Sequence, residues 1–302
     1  MDSLKIQEYE AKRAKISEQT KKPTMAGFIL LALGGLIIVV TLLLPDQYGF
    51  VMWFGLISLF AGAGLLFWMT SKKTKFLKEF KKNFVKDLVA DLYPGSTFDT
   101  ENGMPLKEVL APGFFKDPDR YNTYDYLKAN YQGLPIEMTG FDLKEERRST
   151  DSEGHTTVTY ETYAKGKLIM IDIEKDIKDT VKVLETKWLG ANLRGLHKIE
   201  TESIDFNKKF VTYTSNDLTT FYLLTPQIQL KLLEMENMFR GTIFYAFYDG
   251  KFYVAINDNN DSFVIDVNKP LTGEGMDKLV SELSLPVAII NELKFTSSKF
   301  KN

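Results

Sequence analysis

The sequence predicts a membrane α-helical hairpin of two spans, followed by a cytosolic α+β domain whose antiparallel strands form a meander packed with helices. Two stretches of the 302-residue chain, Pro23 to Pro45 and Gln47 to Ser71, contain no Asp, Glu, Lys or Arg. A lysine-rich segment follows the second stretch, and short apolar runs separated by turn residues fill the remainder. Average values conceal this division, since 44% hydrophobic residues and a net charge of −2 describe an ordinary soluble chain.

Both charge-free stretches are long enough to cross a bilayer. A membrane helix needs about 20 apolar residues, because lipid cannot hydrogen-bond a loose backbone. Residues 25–44 and 49–70 meet this length, and an outer turn at 45–48, with Pro45 and Asp46, joins them. The alternatives are a buried helical pair in a soluble core and a cleaved signal peptide. The charge-free length argues against the first, and the second span argues against the other.

Small residues in the spans have two interpretations. They either allow the two helices to pack closely or reflect the general abundance of glycine in membrane helices. The residues concerned are Gly34, Gly35, Ser58, Gly62 and Gly64.

The charges that flank the spans predict their orientation. Residues 1–24 carry six bases and four acids, residues 72–86 carry seven lysines and one glutamate, and the turn carries one acid. The positive-inside rule therefore places both termini in the cytoplasm of a cell that holds the protein in its inner membrane. The expected organisation is an N-terminal cytoplasmic segment at 1–24, a hairpin at 25–70, a basic juxtamembrane helix at 71–93 and a cytosolic domain at 94–302.

The basic juxtamembrane helix supplies the predicted contact with the membrane surface. Its lysines either bind anionic lipid headgroups, at ~1 kcal/mol each near the surface, or only enforce topology and solubility. The two interpretations are compatible. The candidate lysines are Lys72, Lys73, Lys75, Lys78, Lys81 and Lys82.

The first part of the cytosolic domain is expected to be rich in strands. Residues 104–111 predict a short helix, and Tyr121, Tyr124, Tyr126 and Tyr131 are expected to pack in a core or loop. From Pro135 the chain predicts a four-strand meander, in which IEMTGFDLKEERR and TTVTYETYAKG form a hairpin and KLIMIDIEKD and DTVKVLETKW follow.

Later elements carry clearer local signals. A helix is expected from a cap near Ser215–Asp217 to Leu224, and a second one over 226–239, where Thr225-Pro226 gives an N-cap and a first-turn proline. Strands at 242–248 and 251–257 flank the two-residue turn Asp249-Gly250. A third strand at 263–267 and closing helices at 276–283 and 286–295 complete the prediction.

This region resembles the bacterial family catalogued as domain of unknown function 3137. The resemblance lies in an ExxxFNKxF strand at Glu202–Phe210, a Ser-Asn-Asp turn, a helix that ends in Leu-Thr-Pro and a hairpin that reads KFYVAI. It implies two N-terminal membrane helices followed by a cytosolic domain. It also implies a LemA-like membrane protein as a candidate partner, because such proteins are often encoded nearby. It implies no activity and no catalytic residue.

Motifs for chemistry are few. The chain has no cysteine, which excludes thiol catalysis and cysteine–metal sites. His155 and His197 lack metalloprotease spacing, although either would serve as a general base. Asn257–Asp261 is oxygen-rich but lacks the glycine and acidic positions of a calcium loop, so a turn is the favoured interpretation. We therefore expect no catalytic, cofactor or metal site and no nucleic-acid partner.

Three function classes remain open. The leading hypothesis is a non-enzymatic membrane-anchored module that binds or scaffolds another membrane or envelope protein. The second is a hydrolase or small-ligand sensor, with a pocket lined from residues 121–131 and 137–163. The third is an oligomer of hairpins in transport, although the spans contain no ionisable residue. The lipid bilayer is the expected surrounding in each case, and a homo-oligomer is compatible with all three.

Overall fold

A computed structural model describes residues 3–45, 48–173, 177–186, 188, 190–239 and 241–300. The chain forms two compact units. The first comprises Met1–Asp87 with Val264–Ser281, and the second comprises Leu88–Phe263 with Glu282–Asn302.

Two long helices dominate the first unit. Helix α1 spans Ser3–Leu42 and α2 spans Val51–Phe80, followed by a π-helical turn at Lys81–Val85 and helix α3 at Lys86–Leu92. The predicted N-terminal segment is therefore helical and continuous with the first apolar stretch, through Pro23. At 1.5 Å per residue, α1 is about 60 Å long, roughly twice the thickness of a hydrocarbon core. Asp46 and Gln47 of the predicted outer turn lie outside the described residues.

A nine-stranded antiparallel sheet forms the framework of the second unit. Its strand order is β1-β2-β3-β4-β9-β8-β5-β7-β6. The first five strands are β1 (Thr97–Asp99), β2 (Arg120–Tyr131), β3 (Leu134–Thr150), β4 (Thr156–Asp172) and β5 (Val181–Glu185). The remaining four are β6 (His197–Ile199), β7 (Phe210–Thr214), β8 (Thr242–Tyr248) and β9 (Lys251–Asn257). The prediction of an α+β fold with antiparallel strands is confirmed.

Six short helices among the described residues lie between the strands or after the last of them. They are α4 (Leu106–Leu110), α5 (Ile204–Lys209), α6 (Asp217–Leu223), α7 (Pro226–Met238), α8 (Glu274–Leu283) and α9 (Leu285–Leu293). Asn216 caps α6, because its side-chain oxygen accepts hydrogen bonds from Leu218 N and Thr219 N. The predicted helices at 104–111, 217–224, 226–239, 276–283 and 286–295 therefore exist, with shifts of a few residues at their ends. Arg240, directly after the predicted end of α7 at 239, lies outside the described residues.

The predicted four-strand meander is wrong in two respects. TTVTYETYAKGKLIMID is one strand, β4, because Gly166 marks a close approach of β9 instead of a turn. A Cβ at Gly166 would lie 1.9 Å from Ile256 O. Strand β5 then pairs with β7 and β8, whereas β9 takes the place beside β4.

Three further segments differ from prediction. The tyrosine-rich segment forms β2, bulged between Tyr124 and Leu127, and of its tyrosines Tyr126 packs against the core as expected, whereas Tyr121 is exposed. The predicted strand Glu202–Phe210 contains α5, because Ser203 Oγ accepts from Phe206 N and starts a helix that ends at Lys209. Residues 263–267 form no strand, and Phe263 has φ +53°.

Aromatic residues fill the core of the second unit. Phe115 lies 4.9 Å from Phe141 and 5.8 Å from Phe244 between ring centroids, and Trp188 lies 5.0 Å from Phe244. Trp188 Nε1 donates a hydrogen bond to Phe114 O at 2.8 Å, so its polar atom is satisfied inside this cluster. The core thus lies against β3, β4 and β8 at the centre of the sheet.

Candidate membrane anchor and lysine segment

The two long helices of the first unit share a seam with a seven-residue period. On α1 the buried positions Arg13, Thr20, Gly27, Gly34 and Thr41 follow at this interval. On α2 the matching positions are Gly55, Gly62, Met69 and Phe76. A seven-residue period keeps one face of each helix on its partner, as in a left-handed coiled coil. The seam extends beyond the charge-free stretches at the polar end of both helices.

Glycines allow the closest approach within this seam. A Cβ at Gly34 would lie 2.8 Å from Gly55 O, and a Cβ at Gly62 would lie 2.8 Å from Gly27 O. Ser58 Oγ donates to Leu30 O across the same contact at 2.8 Å. Gly34, Ser58 and Gly62 therefore pack as the close-approach interpretation requires, whereas Cβ atoms at Gly35 and Gly64 would meet open space. The sequence alone did not single out Gly27 and Gly55, which belong to the same contact.

The outward faces of both helices expose large apolar side chains. In the most apolar 18-residue stretch of each helix, only 17% of the residues of the first helix and 11% of those of the second are buried. This exposure opposes the interpretation as a core pair of a soluble protein, since a soluble monomer rarely exposes contiguous apolar surface of this kind. The length and composition of both helices suit membrane spans and suggest membrane association. Among the exposed residues are Phe28, Leu33, Leu36, Val39, Trp53, Phe54, Ile57, Phe60, Phe67 and Trp68.

The predicted surface lysines lie on consecutive turns of α2 and the π-helical turn. We refer to residues 72–82 as the lysine segment. Lys75, Lys78 and Lys82 are exposed, and Lys72, Lys73 and Lys81 are half-buried. Lys72 Nζ lies 4.1 Å from the centroid of the Trp68 ring, and Lys73 Nζ reaches Asn268 Oδ1 at 3.5 Å. The first contact is a cation–π pair at the last turn of the apolar stretch.

Aromatic packing closes the seam beyond the lysine segment. Tyr9 lies 5.8 Å from Phe80 and 5.1 Å from Phe84 between ring centroids, and the two phenylalanine rings stack at 4.8 Å. All three side chains are buried. The polar ends of α1 and α2 are thus held together by a small core of their own.

A partly buried ion pair attaches a distant segment of the chain to α1. Arg13 donates to both carboxylate oxygens of Glu10, at 2.8 and 2.7 Å, and to Val267 O at 2.8 Å. Glu10 Oε2 also accepts from Leu271 N at 2.8 Å. The hydrogen bonds from Arg13 lower the pKa of the Glu10 carboxyl against the opposing effect of burial. Residues 264–281 therefore belong to the same unit as the hairpin.

The two histidines lie apart, on different elements of the second unit. His155 follows the exposed turn between β3 and β4, with Nδ1 3.3 Å from Asp151 Oδ2. His197 begins β6, where its Nε2 lies 2.6 Å from Asp217 Oδ1. Both are more than half exposed. The structure brings neither of them to the depression described next.

A depression of about 410 Å³ lies where β9 ends beside β4. Of the residues predicted to line a pocket, only Thr162 and Tyr163 take part. The other lining residues are Ala164, Lys165, Gly241, Asn257, Asp258 and Asn259. Asn257 Oδ1 accepts from Lys165 N, and Asn260 N donates to Asp258 Oδ1, so the oxygen-rich segment forms a turn that uses its own acceptors.

Lys182 is a buried residue that our sequence reasoning missed. It lies on β5 with 6% exposure, and its Nζ donates to Asn192 O at 2.7 Å. Burial lowers its pKa to about 8. The sequence did contain a sign of this burial. Lys182 lies within the apolar run VKVL, and a continuous apolar run is typical of a strand that is buried on both faces.

Within the described residues, no group of three or more His, Cys, Asp or Glu side chains is arranged to hold a metal ion.

No curated protein matches the chain. Among solved structures, the crystal structure of the mycobacterial trehalose monomycolate transport factor A, TtfA, matches with 7% identity and a TM-score of 0.40. The match covers 68% of this chain and 93% of TtfA. The family model described as protein of unknown function (DUF3137) matches residues 162–295, which run from β4 to the end of α9. This match, which covers less than half of the chain, supports membership of the DUF3137 family.

Proposed function

We propose that the chain is a membrane-anchored module without enzymatic activity, whose helical hairpin crosses the cytoplasmic membrane twice. Its second unit binds another membrane or envelope protein on the cytoplasmic side. One observation carries the anchor: α1 and α2 turn their small residues toward each other and their large apolar residues outward. This inverts the arrangement of a soluble helical pair and matches that of a hairpin in lipid.

Both ends of the hairpin lie on the cytoplasmic side in this proposal. The bases of residues 1–24 precede the first span and the lysine segment follows the second, so both lie at the same end of the two antiparallel helices, and positive charge is retained in the cytoplasm. Lys75, Lys78 and Lys82 are exposed and extend to anionic headgroups there. Trp68 and Lys72 mark the boundary between hydrocarbon and headgroups.

The orientation is testable because the chain contains no cysteine. We expect Tyr48→Cys, in the segment between the spans, to react with a membrane-impermeant maleimide in intact spheroplasts. Lys75→Cys and Ser298→Cys should react only after the membrane is permeabilised. The measurement is the fraction of each variant labelled before and after permeabilisation, and the native chain is the background control. Labelling of Ser298→Cys in intact spheroplasts would contradict the proposed orientation, and release of the chain by alkaline extraction would contradict the anchor.

The binding role has a separate test. We expect the full chain, gently solubilised from its native membrane, to co-purify with a membrane or envelope protein in a fixed ratio. The matched control is a chain in which residues 94–302 are replaced by an unrelated soluble domain. Loss of the protein from that control assigns the binding to residues 94–302, which comprise most of the second unit and segment 264–281 of the first. Recovery of the native chain alone at every loading would contradict the binding role.

A further inference from the structure

Strands β3 and β4 continue as a two-stranded ribbon beyond their neighbours. Strand β2 pairs with β3 only as far as Lys144, opposite Arg120. Strand β9 pairs with β4 only from Gly166 onward, opposite Asn257. Residues 145–150 and 156–161 pair with each other, and within the described part of the chain no other strand lies beside them.

The two outer edges of this ribbon differ in composition. The β3 edge carries consecutive charges at Glu145, Glu146, Arg147 and Arg148, which discourage pairing with another strand. The β4 edge reads TTVTY from Thr156 to Tyr160, without charge, proline or glycine. Val158 in its centre is exposed. Such an edge presents unpaired backbone groups and β-prone side chains as a template for a further strand.

The β4 edge is complementary to itself in antiparallel orientation. If two copies pair about Thr159, Val158 lies opposite Tyr160 and Thr157 lies opposite Glu161, and Thr156 lies opposite Thr162. A β-branched residue opposite an aromatic one is a favourable cross-strand pair, and no like charges meet. We propose that two copies of this chain associate through the β4 edges of their ribbons, with Thr159 on the two-fold axis.

The ends of the ribbon also favour a second copy of this chain as the partner of the β4 edge. In the proposed pairing, the turn of one copy passes Thr162 of the other and approaches the depression beside it. That turn carries the exposed acids Asp151 and Glu153, and the depression contains Lys165, whose Nζ contacts Asp261 at 3.0 Å in its own chain. The same register brings Glu153 of one copy opposite Lys165 of the other, beside Asp258, which also lines the depression, and two-fold symmetry repeats this contact at both ends.

Cysteine crosslinking tests the interface and its register in the full chain, either in its membrane or in detergent. A disulfide requires Cβ atoms about 3.5–4.5 Å apart, a spacing that directly opposed strand residues approach. We expect Thr159→Cys to form a disulfide-linked dimer under mild oxidation at least ten times more than Ser149→Cys, a matched variant on the β3 edge. We also expect Thr157→Cys and Glu161→Cys to crosslink efficiently only when the two variants are mixed.

The molecular mass of the native particle provides an independent measurement of how many copies of the chain it contains. We expect two copies per particle, and we expect Val158→Lys to reduce the dimer fraction several-fold while Ser149→Lys leaves it unchanged. Equal yields of crosslinked dimer from Thr159→Cys and Ser149→Cys would overturn the proposal, as would a higher yield from a cysteine at another position of the β4 edge. A native chain of one copy per particle at all concentrations, or pairing of this edge with a different protein, would also overturn it.

Discussion

Replacing Gly34 with leucine is expected to force α1 and α2 apart. Even a Cβ at this position would lie 2.8 Å from Gly55 O and 2.9 Å from Leu59 N, and backbone atoms cannot move aside as a flexible side chain does. The added side chain should lengthen the separation of the helix axes by ~2 Å or more. It should also destabilise the hairpin by about 1–3 kcal/mol, the usual range for overpacking. The separation is measurable by electron paramagnetic resonance between spin labels at Ile29→Cys and Phe60→Cys, two exposed positions.

Gly35→Leu is the matched control for this prediction. It adds the same side chain to the neighbouring residue of the same helix, where a Cβ meets nothing within 4 Å. We expect the native distance distribution in this variant, and the same result for Gly64→Leu on α2. A native distance in Gly34→Leu, or equal lengthening in Gly34→Leu and Gly35→Leu, would show that the close contact of the glycines does not hold the hairpin together.

The seam explains why the pair of apolar helices was predictable from sequence in outline and not in detail. The absence of charge over two stretches of sufficient length predicts two apolar helices, because this signal is local. The seven-residue period was not visible as a hydrophobic pattern, since its members include Gly27, Thr20 and Arg13. Which glycines pack against the partner helix depends on the rotation of two helices about each other, and only contacts between them reveal it.

The second unit shows the same division between local and long-range signals. The turn Asp249-Gly250 was predicted because both residues favour positive φ, and they have φ +51° and +69°. Helix α7 was predicted from its cap and first-turn proline. The partners of β4 and β5 were not predictable, because β9 and β8 enter the sheet between them from more than 50 residues further along the chain. Strand order of this kind depends on the whole core and carries no local signal.

Lys182→Met is expected to stabilise the second unit at neutral pH. The charged ammonium of Lys182 is disfavoured by burial, and a pKa lowered from 10.5 to about 8 corresponds to a cost of at most ~3 kcal/mol. Methionine fills a similar volume without charge. Loss of the hydrogen bond to Asn192 O opposes the gain by about 1 kcal/mol. The net gain of about 2 kcal/mol should raise the midpoint of thermal unfolding by about 4–8 °C at pH 7.

The pH dependence of this gain identifies its cause. Between pH 8 and 10.5, Lys182 is largely neutral in the folded chain and still protonated in the unfolded chain. The unfolded state then binds more protons, so the stability of the native chain rises with pH over this interval. The advantage of Lys182→Met should therefore be complete below pH 8 and shrink toward pH 10.5. Lys198→Met, on exposed β6, is the control and should change stability by less than about 0.5 kcal/mol at either pH.

A destabilised Lys182→Met at pH 7 would contradict the prediction and would mean that the ammonium is better solvated inside the unit than its single hydrogen bond indicates. A gain that stays constant from pH 7 to pH 10 would also contradict it, because better packing by methionine, and not removal of a charge, would then be the cause. Only a gain that declines with pH ties the buried ammonium to a cost in folding. Natural proteins need only enough stability to function, so a cost of this size is compatible with a folded chain and leaves room for the gain that Lys182→Met is expected to give.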